Sequence, residues 1–291
     1  MLSESYYKNL KIRKMKFLNS VKKISLSLFF LSIVFLASSF IYNDSQEENK
    51  TNPPKKNFTV VIDPGHGGDK PGAYGRKSKE KDIVLEVSKK LKKKLEEELG
   101  INVILTRSTD VDVPFRTRSE IANKNHADLF LSIHANSANT TRRKNPHVVG
   151  TETLVLGFHR MSEQDVAIRE NADMLLEENY EENNADLVGF DPKDPSSYII
   201  FKVMKRQYRD RSIRFASLIQ NEYVASNRVN RGVKEQGLAV LARASMPAVL
   251  TEIGFISSPT EEDYMLSEEG QNEIVKNLFN AIKKYKATSE K

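Results

Sequence analysis

The feature that most constrains this chain is an alternation. Short apolar runs rich in β-branched residues take turns with segments whose apolar residues recur every three or four positions. Phe58 to Asp63 (FTVVID) is the first such run, and it stops at Pro64-Gly65. It reads as a buried strand of the kind found in parallel sheets. Glu80 to Leu99 carries Ile83, Val84, Val87, Leu91, Leu95 and Leu99 at helical spacing, with Gly100 as its stop. Ile101 to Leu105 (INVIL) is a second strand, Pro114 to Asn125 a helix with proline in its first turn, and Asp128 to Ile133 (DLFLSI) a third strand. The alternation predicts an α/β fold: a single domain with a twisted, largely parallel central sheet flanked by helices.

The pattern then loosens. Thr151 to Leu156 (TETLVL) is predicted as a fourth strand at an edge. Residues 157–232 are strongly charged and read as a mostly helical insertion, broken at residues 189–197 (GFDPKDPSS). Gly237 to Leu241 and Ala248 to Ile253 are expected as two late strands, and Thr260 to Lys286 as one or two closing helices. With 291 residues, 39% of them hydrophobic, the chain suffices for one sizeable core.

The N-terminus has a different character. Residues 24–42 (ISLSLFFLSIVFLASSFIY) are apolar and follow Lys22 and Lys23. A basic stretch before an apolar one marks a secretory signal or a retained signal anchor, so export to the periplasm or cell envelope is expected. Residues 1–42 are read as that leader, 43–57 as a polar linker with two prolines, and 58–287 as the folded domain. The inner membrane is then a partner only through an uncleaved leader. The leader also explains the net charge of +6. Seven of the 45 basic residues and one of the 39 acidic residues fall within residues 1–23, leaving 38 of each in the remainder. The folded part has no global field for polyanions, which argues against nucleic acid as a partner.

There is no cysteine, so any metal must be held by histidine and carboxylate. Three such residues share a place. His66 follows the first strand in DPGHGG, His134 ends the third in LSIHAN, and Glu252 ends the last in AVLTEIGF. Sites in open α/β sheets gather outside the carboxyl ends of parallel strands. Two histidines and a carboxylate there suit a catalytic zinc, which takes three protein ligands and keeps a position open. Each histidine alone has a plainer reading, His66 as a turn residue and His134 as a hydrogen-bonded strand end. Gly65, Gly67 and Gly68 could form a phosphate loop, but no Gly-Lys-Ser/Thr follows them. His126, His147 and His159 receive no role.

The segments VVIDPGHGGDKPGAYG, KEKD, RSEIANKNHADLFLSIHAN, GTET and MPAVLTEIGFISSP, in that order, resemble the zinc-dependent N-acetylmuramoyl-L-alanine amidases of bacterial cell-wall turnover. The resemblance covers nearly all of residues 58–287. It implies hydrolysis of the amide between N-acetylmuramic acid and L-alanine in peptidoglycan, in wall remodelling or daughter-cell separation. It implies Zn2+ held by His66, Glu80 and His134, and makes Glu252 the catalytic carboxylate rather than the third ligand. Glu86 is a weaker candidate ligand. The chain departs from the family at Arg76-Lys77-Ser78-Lys79, where a glycine-containing turn is usual, and at Ser258, where asparagine is common.

Some envelope amidases carry a helix that covers the zinc and donates a glutamate to it until an activator protein displaces it. Residues 171–184 (NADMLLEENYEENN) are a candidate for such a helix, with Glu177, Glu178, Glu181 and Glu182 as donors. The plainer reading is a solvated helix packed through Met174 and Leu175. Two other functions compete: a zinc peptidase or deacetylase acting on another amide, and a non-catalytic wall-binding module.

Overall fold

A computed structural model describes Met15 and residues 57–138, 147–157, 164–177 and 208–289. Apart from Met15 and Asn57, the leader and linker lie outside the described residues, as do residues 178–207 with their predicted break and with Glu178, Glu181 and Glu182, and so does His159. The chain divides into two compact units, Met1–Lys56 and Asn57–Lys291, and the second carries the fold.

Among the described residues six strands form one sheet: β1 (Thr59–Pro64), β2 (Asn102–Leu105), β3 (Leu129–Asn136), β4 (Thr151–Leu156), β5 (Asn230–Gln236) and β6 (Ala248–Phe255). Their order is β2-β1-β3-β6-β4-β5. All neighbouring pairs are parallel except β4 with β6. The sheet is therefore largely parallel and the class is α/β, as the alternation predicts.

Helices cover both faces. On one, Val60, Ile62, Leu129, Leu131, Ile133, Val249 and Ile253 meet α1 (Glu80–Leu99), α4 (Arg209–Ala225) and α7 (Glu268–Ser289). On the other, Val61, Phe130 and Leu250 meet α2 (Phe115–Lys124), α3 (Asp165–Asn171) and the short α5 (Ala239–Ala242). Another helix, α6 (Pro259–Leu266), follows β6. Because successive strand side chains alternate between faces, Asp63, Ser132, His134 and Glu252 belong to the second face. The central strands are buried on both faces, which is why they read as continuous apolar runs.

Three expectations change. β4 is not an edge; it lies between β6 and β5, and the edges are β2 and β5. Gly237 to Leu241 is not a strand, because α5 is helical from Ala239 and buries all four of its residues among Leu154, Phe130 and Leu250. The late partner strand is instead β5, inside the segment expected to be mostly helical. Its sequence NRGVKEQ is polar because it has one strand neighbour and much of it is half-exposed.

Candidate metal centre

Parallel pairing builds the centre. Backbone register sets His134 of β3 opposite Glu252 of β6. Gly65 N donates to Ile133 O at 3.0 Å, so the loop after β1 stays hydrogen-bonded to β3 before it turns back at His66. His66 itself has φ of 57°, a left-handed conformation that costs a non-glycine residue of order 1–3 kcal/mol. Two buried guanidinium groups hold the loop in that shape. Arg118 donates to Pro64 O at 2.8 Å and to His66 O at 2.7 Å. Arg107 donates to Pro64 O at 3.0 Å, Gly65 O at 2.7 Å and Lys81 O at 2.8 Å. Arg118 is balanced by fully buried Asp63 at 2.8 Å, which also accepts from Thr106 at 2.6 Å and Ser132 at 2.8 Å. Burial opposes charge on Asp63, yet the Arg118 guanidinium and the two hydroxyls hold its carboxyl below the usual range. Burial, with Arg118 close by, brings Arg107 down to about 10.

Glu80 enters from the first residue of α1. Its Oε1 accepts from Ala135 N at 2.9 Å and its Oε2 from Ala73 N at 2.8 Å, which fixes the carboxylate between the two histidines. His134 Nδ1 lies 2.9 Å from Oε1 and His66 Nε2 lies 3.2 Å from Oε2. A fourth residue joins them. Glu170 of α3 places Oε2 2.9 Å from His134 Nδ1 and 3.2 Å from His66 Nε2. One ligand atom from each of His66, Glu80, His134 and Glu170 lies within 4.8 Å of all the others. Tetrahedral ligands about 2.0–2.1 Å from zinc stand roughly 3.3 Å apart, so the cluster has the dimensions of such a site.

Satisfaction of polar atoms supports that fit. His66 Nε2, His134 Nδ1 and Glu170 Oε2 are buried and lack a hydrogen bond of acceptable geometry despite their mutual proximity. Buried polar atoms are normally paired, and ligand atoms aimed at a common cation are the exception. The backbone leaves no slack. A Cβ on Gly72, whose φ is +69°, would stand 2.5 Å from His66 Cδ2 and 2.6 Å from Glu80 Oε2. Electrostatics agree. Burial opposes charge on His134, but Glu170 and Glu80 outweigh it and lift the ring to about 9. Burial likewise opposes charge on Glu80, yet the neighbouring His66 brings it down to about 2. The pocket calls for positive charge, which a divalent cation supplies while leaving both rings neutral.

Glu252 is fully buried beside His134, and its Oε2 has no hydrogen-bond partner among the described residues. Burial, with the charge of Glu170 added, pushes its carboxyl well above the usual range, against the pull of Arg169. Arg169 Nη2 donates to Glu252 Oε1 at 3.2 Å, while its Nη1 donates to Asn136 Oδ1 at 3.0 Å and Ser137 O at 3.1 Å.

All four residues singled out from sequence therefore meet: His66, Glu80 and His134 as one cluster, with Glu252 adjoining it. Glu86 does not join; it is exposed and pairs with Lys89. Glu177 does not either. Its Oε1 accepts from Phe115 N at 2.9 Å and so caps α2. The acidic segment departs from a continuous helix, since residues Ala172–Leu176 form a 3-10 turn with Met174 buried and Leu175 exposed. Sequence reasoning missed Glu170, Arg169 and Asp173. Their available signal was the position of Asp165–Asn171 at the start of the insertion. The departure at Arg76–Lys79 is held by the helix that begins after Ser258: Glu262 in α6 accepts from Arg76 N, Lys77 N and Ser78 Oγ.

The sequence profile of N-acetylmuramoyl-L-alanine amidases matches residues 60–284. The amidase AmiC of Escherichia coli O6:H1 is 30% identical over 233 residues, covering 78% of this chain and 52% of AmiC. AmiA of Escherichia coli K12 is 34% identical over 209 residues, covering 70% of this chain and 67% of AmiA. The chain thus spans about half the length of AmiC. The solved catalytic domain of CwlV, an N-acetylmuramoyl-L-alanine amidase from Bacillus (Paenibacillus) polymyxa var. colistinus, superposes with a TM-score of 0.57 at 26% identity, covering 79% of this chain and 98% of that one.

Proposed function

The chain belongs to the N-acetylmuramoyl-L-alanine amidase family, and from that premise we propose that it is a zinc-dependent hydrolase of the amide between N-acetylmuramic acid and L-alanine in peptidoglycan. The observation that carries the reading is the convergence of His66, Glu80 and His134 on one point with the carboxylate of Glu252 alongside. Those three residues would hold the metal. When bound, a zinc ion would polarise the substrate carbonyl and acidify the attacking water. Glu252 takes the proton from that water and hands it to the departing amine of L-alanine. Its burial beside His134 suits a carboxyl that holds a proton briefly before passing it on. The Asp63–Arg118 pair and Arg107 hold the His66 loop rigid while this happens.

In this state α3 stands in the way. Glu170 fills the position that a hydrolytic site leaves to water, and Arg169 occupies Glu252. The segment acts as an inhibitory cover, displaced by an activator protein. Residues 1–42 act as leader, 43–57 as linker and 58–287 as the catalytic domain, exported to where the wall lies. Among the described residues no helix is long and apolar enough to cross a membrane.

Digestion of purified cell wall followed by mass spectrometry tests the bond. Intact stem peptides freed from glycan are expected. Shortened stems would mean a peptidase, deacetylated glycan with stems still attached a deacetylase, and unchanged wall in the presence of zinc and a Glu170 variant a binding module.

A further inference from the structure

The covering segment makes one contact that blocking alone does not require. Asp173, in the turn after α3, sets Oδ2 2.7 Å from His66 Nδ1. That nitrogen is the far side of the ring; Nε2 is the one that faces Glu80 and Glu170. A histidine that ligates through Nε2 carries its proton on Nδ1. A carboxylate accepting that proton fixes the tautomer, holds the ring plane and makes the ring a stronger donor. His134 is held differently, by the backbone: its ring lies so close to Gly65 that a Cβ there would be 2.5 Å from Cε1 and Nε2. His66 sits on a loop, with its carbonyl anchored by Arg118 and its ring steadied by Asp173.

We infer that Asp173 is a positioning residue for His66, and that the segment carrying Glu170 and Asp173 retains the metal as well as covering it. This rests on the metal reading proposed above. Glu170 and Asp173 lie three residues apart and reach the two sides of the same imidazole. Withdrawing the segment removes a direct ligand and the support of a second ligand together. The uncovered state therefore binds its metal more weakly than the covered one. Linkage makes the coupling reciprocal: whatever the cover adds to metal affinity, the metal adds to the stability of the cover.

The test uses the full chain and zinc alone, with two readouts. Zinc affinity is measured by chelator competition for the wild type and for Asp173→Asn, together with the thermal melt of each protein stripped of metal. Asp173→Asn is expected to weaken zinc binding about 10- to 100-fold, whatever the lost contact to His66 takes from the metal-free melt. A residue that merely packs the turn would lower the melt and leave the affinity in place. In parallel, hydrogen exchange across residues 164–177 is followed with and without zinc, and protection is expected to rise when zinc binds. Equal zinc affinity in the variant, or equal protection in both conditions, overturns the inference. A wild type that takes up no zinc fails at the earlier step, and its failure is that of the metal reading itself.

Discussion

Arg169 on α3 donates to Glu252 on β6, Nη2 to Oε1 at 3.2 Å, while the next residue in the chain, Glu170, points at the two histidines. Two consecutive side chains thus occupy the two halves of the centre, the Glu252 carboxylate and the cluster of His66, Glu80 and His134. Arg169 also accepts the job of balancing the acids it sits among, since Glu170 Oε1 receives its Nε at 2.7 Å. Both belong to a single short helix, α3.

Removing Glu170 should therefore release the enzyme. A charge-assisted contact is worth about 1.5–3 kcal/mol, and roughly 1.4 kcal/mol is tenfold. Glu170→Ala is expected to raise basal hydrolysis of labelled peptidoglycan at least about tenfold at saturating zinc. A zinc-loaded variant with unchanged or lower activity would show that the segment does not inhibit.

Glu252 should separate chemistry from metal binding. It adjoins the cluster without supplying one of its four ligand atoms. Glu252→Gln keeps the shape and removes the proton acceptor, so turnover in the Glu170→Ala background should fall about 10²- to 10⁴-fold. Zinc content, measured by atomic absorption, should stay at the parent level. Loss of metal in the variant would instead make Glu252 a ligand, the role its place at a strand end first suggested.

Asp63 gives a prediction about stability and pH. Its carboxyl is held below the usual range by Arg118, so it stabilises the fold at pH values above its unfolded pKa near 4. That contribution is lost as pH falls below 4 and through the folded pKa. Asp63→Asn leaves buried Arg118 without a counter-charge, which costs about 3–5 kcal/mol at neutral pH. Denaturant unfolding at pH 7 should show that loss, and the gap between variant and wild type should narrow in acid. A pH-independent gap would mean that the pair is not what the carboxylate contributes.

The central strands and their carboxyl-end residues were legible because burial on both faces writes continuous apolar runs, and β1, β3 and β6 carry His66, His134 and Glu252 at or just past those runs. The edge was not legible. β5 pairs on one side and reads NRGVKEQ, with no apolar alternation to mark it. The apolar residues of α5 suit a buried strand as well as a buried helical turn, and four residues carry too little period to decide. Glu170 escaped for a different reason. The densest acidic run lies downstream from Glu177, whereas what brings a carboxylate to the two histidines is the packing of Ala167 and Met174, which turns Glu170 towards the sheet end. That depends on tertiary contacts separated by a hundred residues, as with His66 and Asp173.

Gly65 and Gly100 should respond to alanine in opposite ways. Gly100 has φ of +58° and nothing within 4 Å of its missing Cβ, so Gly100→Ala meets backbone strain alone. That costs about 1–2 kcal/mol and leaves the centre untouched. At Gly65 the Cβ would stand 2.5 Å from His134 Cε1 and Nε2, well inside contact distance. His134 cannot yield easily, because it lies in β3, paired on both sides by β1 and β6 and buried. The ring must rotate, or the loop carrying His66 must lift; either breaks the spacing of Nδ1 from Glu80 and Glu170. Gly65→Ala is therefore expected to lose zinc affinity by at least tenfold, about 1.4 kcal/mol, while Gly100→Ala loses stability with affinity intact. Chelator competition and thermal melts of the two variants separate the cases, and a Gly65→Ala protein with parental zinc affinity would mean that the close contact to His134 has no part in holding the metal.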